Sequence, residues 1–328
     1  GCIDSLAINY NILANSDDGS CRYNKTYVPD DIFEAYLENI NYGDGVPFND
    51  SVLTDGLLSI LSLNIDNYSI SDITGIEDMS NLQNLYANYN NISDLHLINS
   101  LSDLHRIEAT SNSLSVVDLS SLNNSLTAVY LYNNQISQLI LPDSAYNGGV
   151  MSLHLQNNIL NSISFPQTLR INYLNLNNNP LDTIDVSILY DLRDLYISNS
   201  NISSLNLSNN NSLYTLDIYQ NSLLTSIDLK NKNNLYNLRI VDNSSLYALD
   251  MRNVSIFAIN HNNSGLHNNV PYGSNFFYNS SLTCISVSDT IVANALLDDN
   301  IDPWCSFSTN CTGLGCMDTL ALNYDPNA

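Results

Sequence analysis

The sequence has few positive charges. Only nine of its 328 residues are lysine or arginine, against 33 aspartates and glutamates, so the formal net charge is −24 at pH 7. Nucleic-acid binding needs cations clustered opposite the phosphates, and this composition therefore predicts that the protein does not bind nucleic acid. The sequence also has no run of 18 apolar residues, so we expect no segment that inserts into a membrane.

Motifs of enzyme active sites are missing as well. The five histidines form no H-E-x-x-H pair, and the sequence contains no G-x-S-x-G, P-loop or G-x-G-x-x-G. Aspartates do recur beside apolar residues at regular spacing, at Asp94, Asp118, Asp185, Asp228 and Asp250. We interpret them as turn residues, because no general base, nucleophile or electrophile accompanies them. The sequence therefore predicts a protein that is not an enzyme.

Cysteine is absent from the whole central part of the chain. The six cysteines lie near the two ends, at Cys2, Cys21, Cys284, Cys305, Cys311 and Cys316. Zinc fits them poorly, since there is no C-x-x-C and no histidine at ligand spacing nearby. We expect disulfides that cap the two ends, with free thiols or a metal as the alternatives. Together with the composition, disulfides indicate an extracellular or cell-surface protein.

One pattern fills the centre of the sequence. It has the form L-x-L-x-x-N-x-L, as in residues 129–136 and 174–181. Its first apolar residue recurs with steps of 22, 22, 24, 21, 21, 21 and 22 residues, at Leu85, Ile107, Val129, Leu153, Leu174, Leu195, Leu216 and Leu238. A period of about 20 to 29 residues with this pattern is typical of leucine-rich repeats. We predict a leucine-rich repeat solenoid, mostly β, with an irregular or short helical convex side, a short N-terminal capping helix and disulfide-bearing caps.

Asparagine has a fixed place in the pattern, at the point where the chain turns out of each strand. It occupies this place at Asn90, Asn112, Asn134, Asn158, Asn179, Asn221 and Asn243. Its side-chain amide can satisfy backbone groups that the turn buries, each of which would otherwise cost about 1–3 kcal/mol. One repeat has Ser200 there, and we expect it to weaken one step without changing the register.

The side chains that flank the inward-facing leucines are expected to form the concave face. The candidate ligand-binding residues on this face are Tyr86, Arg106, Tyr130, Tyr132, His154, Tyr173, Tyr196, Tyr219 and Arg239. Tyrosine offers a large, stiff surface with one hydroxyl group, which suits a protein or glycan ligand. The alternative is that tyrosine is there for its β propensity, because 21 tyrosines are spread along the chain.

The first 22 residues have the pattern of a separate small module, G-C-x-D…A-x-N-Y…D-D-G-S-C. It resembles a module common in secreted bacterial proteins of the Bacteroidetes type. A Cys2–Cys21 bridge would close a loop of about 20 residues and contribute about 3 kcal/mol. Calcium is the candidate cofactor, with ligands here and in a second copy of the motif at Asp4, Asn9, Asp17, Asp18, Asp318 and Asp325. A cluster of Asx turns without an ion is the alternative.

Segments at both ends of the repeats carry a further resemblance. Residues 27–38 read Y-V-P-D-D-I-F-E-A-Y-L-E, which predicts a short helix after Pro29, and residues 71–78 read S-D-I-T-G-I-E-D. Both resemble the N-terminal region of secreted or cell-surface leucine-rich repeat proteins of the Bacteroidetes, or flavobacterial, type. Residues 282–289 and 306–311 resemble the C-terminal cap of that family. The resemblance implies a Cys284–Cys311 disulfide and leaves the partners of Cys305 and Cys316 open.

The opening motif returns at the other end, where residues 315–324 repeat its pattern. We therefore divide the sequence into a Cys/Asp module, an N-terminal cap, the repeats, a C-terminal cap and the start of a second module, at 1–22, 23–57, 58–281, 282–314 and 315–328. The return of the motif favours one period of a longer molecule or a head-to-tail assembly, since heterologous contacts that do not close generate filaments. A truncated chain or a loose tail is the alternative.

Two functions follow as expectations. The first is a structural role, as a unit of a surface fibre or tandem array whose partners are copies of itself. The second is adhesion or recognition of a protein or glycan on the concave face. N-glycosylation is a separate hypothesis, at Asn67, Asn91, Asn123, Asn201, Asn243, Asn253 and Asn279.

Overall fold

The computed structural model describes residues 1–3, 7–21, 24–122, 125–255 and 276–311, with the backbone of 266–267 and 270–271. The chain forms two compact units, Gly1–Gly149 and Val150–Ala328. Each unit stacks coils of parallel strands, with a front sheet built from the L-x-L segments and further short strands at the back. The predicted solenoid is therefore confirmed. Among the described residues, no helix has the length and apolar character needed to cross a membrane.

The first unit begins with an N-terminal cap. Strands β1 (Lys25–Tyr27) and β2 (Ser51–Leu53) pair antiparallel, and helices α1 (Asp31–Asn39) and α2 (Thr54–Leu57) lie between and after them. Asp30 is the N-cap of α1, where its carboxylate accepts the N–H groups of Ile32 and Phe33. Helix α1 buries Phe33 and Leu37, as its apolar spacing predicts, although Ile32 is exposed.

Asp30 also fastens this cap to the first coil. Its second oxygen accepts the backbone N–H groups of Ser71 and Asp72 at 2.8 and 3.1 Å. Gly75 lies just beyond, with a positive φ of 104°, and a Cβ there would meet Val28 Cγ2 at 2.7 Å. The two N-terminal segments that carry the resemblance therefore contact each other, and their aspartate and glycine are explained by that contact.

The front sheet of the first unit has four parallel strands: β3 (Ser62–Asn64), β4 (Asn84–Tyr86), β5 (Arg106–Glu108) and β7 (Ala128–Tyr130). Leu63, Leu85, Ile107 and Val129 align across it and are almost fully buried, so the predicted register is correct. At the back, β6 (Val116–Asp118) pairs with β8 (Gln138–Ile140). Short 3-10 helices lie in the connections between strands, at Ile76–Asp78, His96–Ser100 and Tyr146–Gly148.

The second unit has longer front strands. They are β9 (Met151–His154), β10 (Ile171–Asn175), β11 (Asp194–Ser198), β12 (Thr215–Tyr219) and β14 (Asn237–Val241). Their aligned residues are Leu153, Leu174, Leu195, Leu216 and Leu238. The back sheet consists of β13 (Ser226–Asp228), β15 (Ala248–Asp250), β18 (Cys284–Ser286) and β19 (Ser306–Ser308). A short hairpin, β16 (Leu266–His267) with β17 (Val270–Pro271), helix α3 (Thr290–Leu297) and a 3-10 turn at Asp298–Asn300 complete this unit.

The repeated asparagines connect each coil to the one before it. The Asn179 amide donates to the carbonyls of Leu155 and Leu176, and its Oδ1 accepts the N–H of Leu160. Corresponding bonds link Asn90 to Ile65 and Ile70, and the same arrangement recurs at Asn112, Asn134, Asn221 and Asn243. We call this series the asparagine ladder. The predicted role of these residues is confirmed.

The ladder extends further than the sequence pattern indicated. The Asn279 amide donates to the carbonyl of Ile240, and its Oδ1 accepts the N–H of Asn243. Asp302 ends the series, because its carboxylate accepts the N–H groups of Tyr278 and Asn279. Ser200 is too short to reach back to the preceding coil, and its hydroxyl instead donates to Asn221 Oδ1.

Two disulfides lie near the ends of the chain. Cys2 pairs with Cys21, and Cys284 pairs with Cys311, as expected. Cys305 is a free thiol, and burial raises its pKa to about 12. Cys316 lies outside the described residues.

The ladder makes a prediction about stability. Asn179→Ala leaves three buried backbone groups without partners, at about 1–3 kcal/mol each, so we expect the free energy of unfolding to fall by more than about 2 kcal/mol. The exposed Asn161, in the same part of the second unit, provides the control, since Asn161→Ala should change it by no more than about 0.5 kcal/mol. Denaturant unfolding measures both. Equal effects of the two substitutions would contradict the role of the ladder.

Candidate functional site

The predicted concave residues lie on the outward surface of the front sheets, which we call the front face. All nine are partly or largely buried, because their neighbours on adjacent strands pack against them. The structure gathers them into one group in the first unit and two groups in the second. Tyr132 lies just after β7 and is half-buried.

In the first unit the group surrounds an arginine. The Arg106 guanidinium lies 4.5 Å from the centre of the Tyr130 ring and 6.0 Å from that of Tyr86. Its Nε and Nη2 both contact the carboxylate of Glu108. This pair was not predicted from the sequence. Burial lowers the pKa of Arg106, but its interactions with Glu108 and Tyr130 together outweigh that effect and raise the pKa above its usual value. Arg106 is thus committed to its own chain.

In the second unit three aromatic rings contact one another across neighbouring strands. His154 and Tyr173 are stacked with centres 4.3 Å apart, and Tyr173 and Tyr196 follow at 5.4 Å. Aromatic rings at about these separations stabilise a fold by contacting each other. These ring contacts therefore contribute to the stability of the unit as well as to its surface.

The second group of this unit is a buried ion pair. Arg239 Nη1 contacts Asp217 Oδ2 at 3.1 Å, and the guanidinium lies 4.7 Å from the centre of the Tyr219 ring. Both charged side chains are about nine-tenths buried. The sequence signal for the pair is its spacing, because Asp217 and Arg239 are one repeat apart and align on β12 and β14.

Two amide oxygens of this front face have no hydrogen-bond donor. They are Gln156 Oε1 and Asn177 Oδ1, and both are shielded from solvent. The two residues follow neighbouring strands, β9 and β10, at equivalent places. Arg239 Nε and Nη2 are likewise shielded and unpaired. Such groups are uncommon in folded proteins, because each one costs stability.

The candidate calcium ligands of the first module have partners of their own. Asp17 Oδ1 accepts the N–H of Gly19, Asp18 Oδ1 accepts that of Ser20, and the Asn9 amide donates to the Ser20 carbonyl. The bonds of Asp17 and Asp18 are Asx turns, the arrangement that we gave as the alternative. The remaining candidates, Asp4, Asp318 and Asp325, lie outside the described residues.

Within the described ranges, a different group of three carboxylates lies close enough to share an ion. It consists of Asp31, Glu34 and Asp50, whose oxygens lie within 4.8 Å of one another. Glu34 is fully buried, and its two oxygens accept the N–H groups of Asn49 and Asp50. This group therefore has a structural role in holding the loop before β2.

The aspartates that recur through the repeats also act in turns. The carboxylates of all five accept the N–H group of the residue two positions later, and these aspartates are Asp94, Asp118, Asp185, Asp228 and Asp250. The hydrogen bonds to Ser187 lower the pKa of Asp185. The turn interpretation is confirmed.

The glycosylation hypothesis needs correction at two residues. Asn243 and Asn279 are fully buried, and their Nδ2 atoms donate the hydrogen bonds of the asparagine ladder. A glycan on either nitrogen would replace those bonds and would not fit. The side chains that remain exposed are Asn67, Asn91, Asn201 and Asn253, where glycosylation stays a prediction. Asn123 lies outside the described residues.

Parallel strands with buried leucines and an asparagine ladder decide the class of the protein. The fold is a leucine-rich repeat solenoid. No protein-family model matches the sequence, and no curated protein matches it either. Solved structures of bacterial leucine-rich repeat proteins are distantly similar to the chain.

Three of these structures show the extent of the similarity. A leucine-rich repeat protein of Leptospira interrogans is 16% identical, with a TM-score of 0.41 over 72% of this chain and 80% of that one. The internalin InlF of Listeria monocytogenes is 18% identical, with a TM-score of 0.39 over 84% and 88%. Internalin C2 of the same organism is 18% identical, with a TM-score of 0.37 over 82% and 100%. The likeness concerns the fold and assigns no family or lineage.

The calcium hypothesis for the first module can be tested by chelation. Because Asp17 and Asp18 already accept backbone hydrogen bonds, we expect a chelator to leave the melting temperature unchanged. The substitution Asp17→Asn, which keeps the accepting oxygen, should be neutral as well. Calorimetry measures both, and a lower melting temperature in the chelator would instead support bound calcium.

Proposed function

We propose that the protein is a non-catalytic, extracellular binding module that holds a protein ligand on the front face of its second unit. The observation that carries the proposal is the pair of unpaired amide oxygens, Gln156 Oε1 and Asn177 Oδ1. Each costs the free chain about 1–3 kcal/mol, and N–H donors from a ligand would remove that cost. A polypeptide supplies such donors at regular intervals along its backbone.

The geometry of the rings favours a protein over a glycan. Sugars are held by stacking on open aromatic faces, whereas Tyr173 is stacked on His154 and contacts Tyr196 at a tilt of 38°. A polypeptide surface with hydrogen-bonding groups and small apolar side chains complements such a face better.

Charge and disulfides support the extracellular setting. Two disulfides persist only where the surroundings are oxidising, as outside the cell. A net charge of −24 favours ligands whose contacting surface is neutral or basic overall, because long-range repulsion slows the approach of acidic proteins.

The proposal predicts an opposite effect of one substitution on stability and on binding. Gln156→Met removes an unpaired buried oxygen, so the melting temperature should stay the same or rise, while affinity for the ligand should fall about tenfold or more. Gln138→Met on the exposed back strand β8 is the matched control and should change neither. Binding is measured by surface plasmon resonance against a panel of purified extracellular proteins and by a glycan array.

Two results would contradict the proposal. One is binding to glycans alone, and the other is a protein ligand that Gln156→Met binds as well as the unchanged protein does. Melting curves recorded on the same samples separate a lost contact from a lost fold.

A second function, assembly with copies of the same chain, is favoured by the surface of the first module. Its large apolar side chains point into solvent at Ile3, Ile8, Tyr10, Ile12 and Leu13. Ile12 and Leu13 are 79% and 83% exposed. A small disulfide-closed module with such a surface is suited to packing against a partner. The repeated motif at 315–324 makes another copy of the chain the partner of this proposal.

Electron microscopy tests the assembly. The unchanged protein should form fibres or end-to-end oligomers at high concentration, and the double substitution Ile12→Asp and Leu13→Asp should disperse them, because it places charge in an apolar contact. Ile159→Asp is the control, since Ile159 is exposed in the second unit. Monomers at every concentration would overturn the assembly without bearing on ligand binding.

A further inference from the structure

The back of the second unit has a groove between two neighbouring coils. It has a volume of about 320 Å³ and lies between residues 163–165 of one coil and residues 183–188 of the next. Ile163 and Ile184 lie five residues after the asparagine of their repeat, the position that Val117 and Leu139 occupy in β6 and β8. Strands β6 and β8 pair with each other, whereas the two segments beside the groove do not pair.

The groove offers two kinds of contact. Its apolar lining consists of Ile163 and Phe165, which are buried, and Ile184 and Ile188, which are half-buried. Residues 163–165 and 183–185 form no backbone–backbone hydrogen bond with any described residue. An extended polypeptide segment supplies backbone donors and acceptors together with side chains that enter apolar pockets. The groove is therefore suited to an extended segment with apolar side chains.

The N-terminal cap carries such a segment at residues 46–48, which we call the loop tip. Val46 and Phe48 flank Pro47 there, and their side chains are 54% and 68% exposed. Phe48 has a φ of +60°, a left-handed conformation that bulky residues rarely adopt. Neither this strain nor the exposed ring contributes to the stability of the free chain. A glycine or asparagine would fit the backbone better, so the phenylalanine needs another explanation.

The loop tip is fixed in place by buried and half-buried carboxylates. The Glu38 carboxylate accepts the N–H groups of Asp44 and Gly45 on one side of the tip. The Glu34 carboxylate accepts those of residues 49 and 50 on the other side. A segment that is already ordered loses less conformational entropy when it binds. The loop tip is therefore presented in a form that is ready for a contact.

We propose that the loop tip of one copy of the chain binds in the groove of another copy. This inference rests on the second proposed function, assembly with copies of the same chain, and names a contact that does not involve the first module. Both halves of the contact belong to every chain, so each copy offers a tip to one neighbour and a groove to the next. A contact between two different surfaces is heterologous and can continue from copy to copy.

Photochemical cross-linking in the intact chain tests the contact directly. Benzoylphenylalanine in place of Phe48 keeps an aromatic ring at the tip and links, under light, to C–H groups that it touches. A mixture of isotope-labelled and unlabelled chains distinguishes links between copies from links within one copy. We expect links between copies that join position 48 to residues 163–165 or 183–188. Links between copies to other residues, or links within single copies only, would overturn the proposal.

Two substitutions separate association from stability. Phe48→Asn should keep or raise the melting temperature, because asparagine tolerates the left-handed backbone, and should raise the concentration at which oligomers appear about tenfold or more. Ser164→Arg places a long side chain in the groove and should raise that concentration similarly. Ser162→Arg, at an exposed residue outside the groove, is the matched control and should change neither property.

A mixture of the two variants identifies a heterologous contact. Each variant carries Ile12→Asp and Leu13→Asp as well, so that the first module does not contribute. Phe48→Asn retains the groove and Ser164→Arg retains the tip, so sedimentation velocity should show pairs in the equal mixture and monomers in each sample alone. A mixture as dissociated as its components contradicts the proposal.

Salt gives a further arm of the same measurement. Two chains of net charge −24 repel each other, so an apolar contact should strengthen as salt screens that repulsion. Association that weakens as salt rises would indicate an ion-paired contact and would overturn this one. Fibres that Ile12→Asp and Leu13→Asp disperse but Phe48→Asn leaves intact would support assembly and reject the tip as its contact.

Discussion

The fold depends on satisfying backbone groups where each coil turns out of its front strand. A turn of this kind buries N–H and C=O groups that water would otherwise satisfy, and an unpaired buried group costs about as much as a hydrogen bond contributes. The asparagine ladder solves this with one side chain per coil, since an amide donates and accepts at once. The single side chain of Asn179 makes three such hydrogen bonds, to two carbonyls and one N–H group in adjacent coils. The leucines supply the burial, but the amides fix the register.

A ladder whose asparagines reach back to the preceding coil needs a different group at its end. Asp302 supplies one, because a carboxylate accepts two N–H groups and requires no further coil to satisfy it. Asp30 has a comparable place near the other end, where it caps α1 and holds the first coil through Ser71 and Asp72. Each end is therefore closed by an acid whose partners are backbone N–H groups.

The sequence predicted the solenoid and its register, because a period of 21 to 24 residues leaves few alternatives for stacked strands. The two described disulfides were expected from the resemblance of the small module and of the C-terminal cap. Asn279 was interpreted as a glycosylation site because its N-x-S pattern is visible locally, whereas its place in the ladder follows an insertion that breaks the period. The pairing of Asp217 with Arg239 was not singled out because it acts between coils. The unpaired oxygens of Gln156 and Asn177 could not be predicted, because the sequence does not reveal which hydrogen-bond partners surround an amide side chain in the fold.

The same physical rule that orders the coils also indicates where the protein differs from a pure scaffold. Most buried polar side chains of the second unit find partners within the stack, as Ser200 does even where it replaces an asparagine. Those with an unpaired atom include Gln156, Asn177 and Arg239 on the front face, together with Asn172 in β10 and Asn210 between β11 and β12. Natural sequences tend to retain such groups at functional sites, because an apolar side chain of similar size would be more stable there. Gln156 and Asn177 stand apart because they occupy equivalent places, one repeat apart, after β9 and β10, so that one bound ligand could satisfy both oxygens.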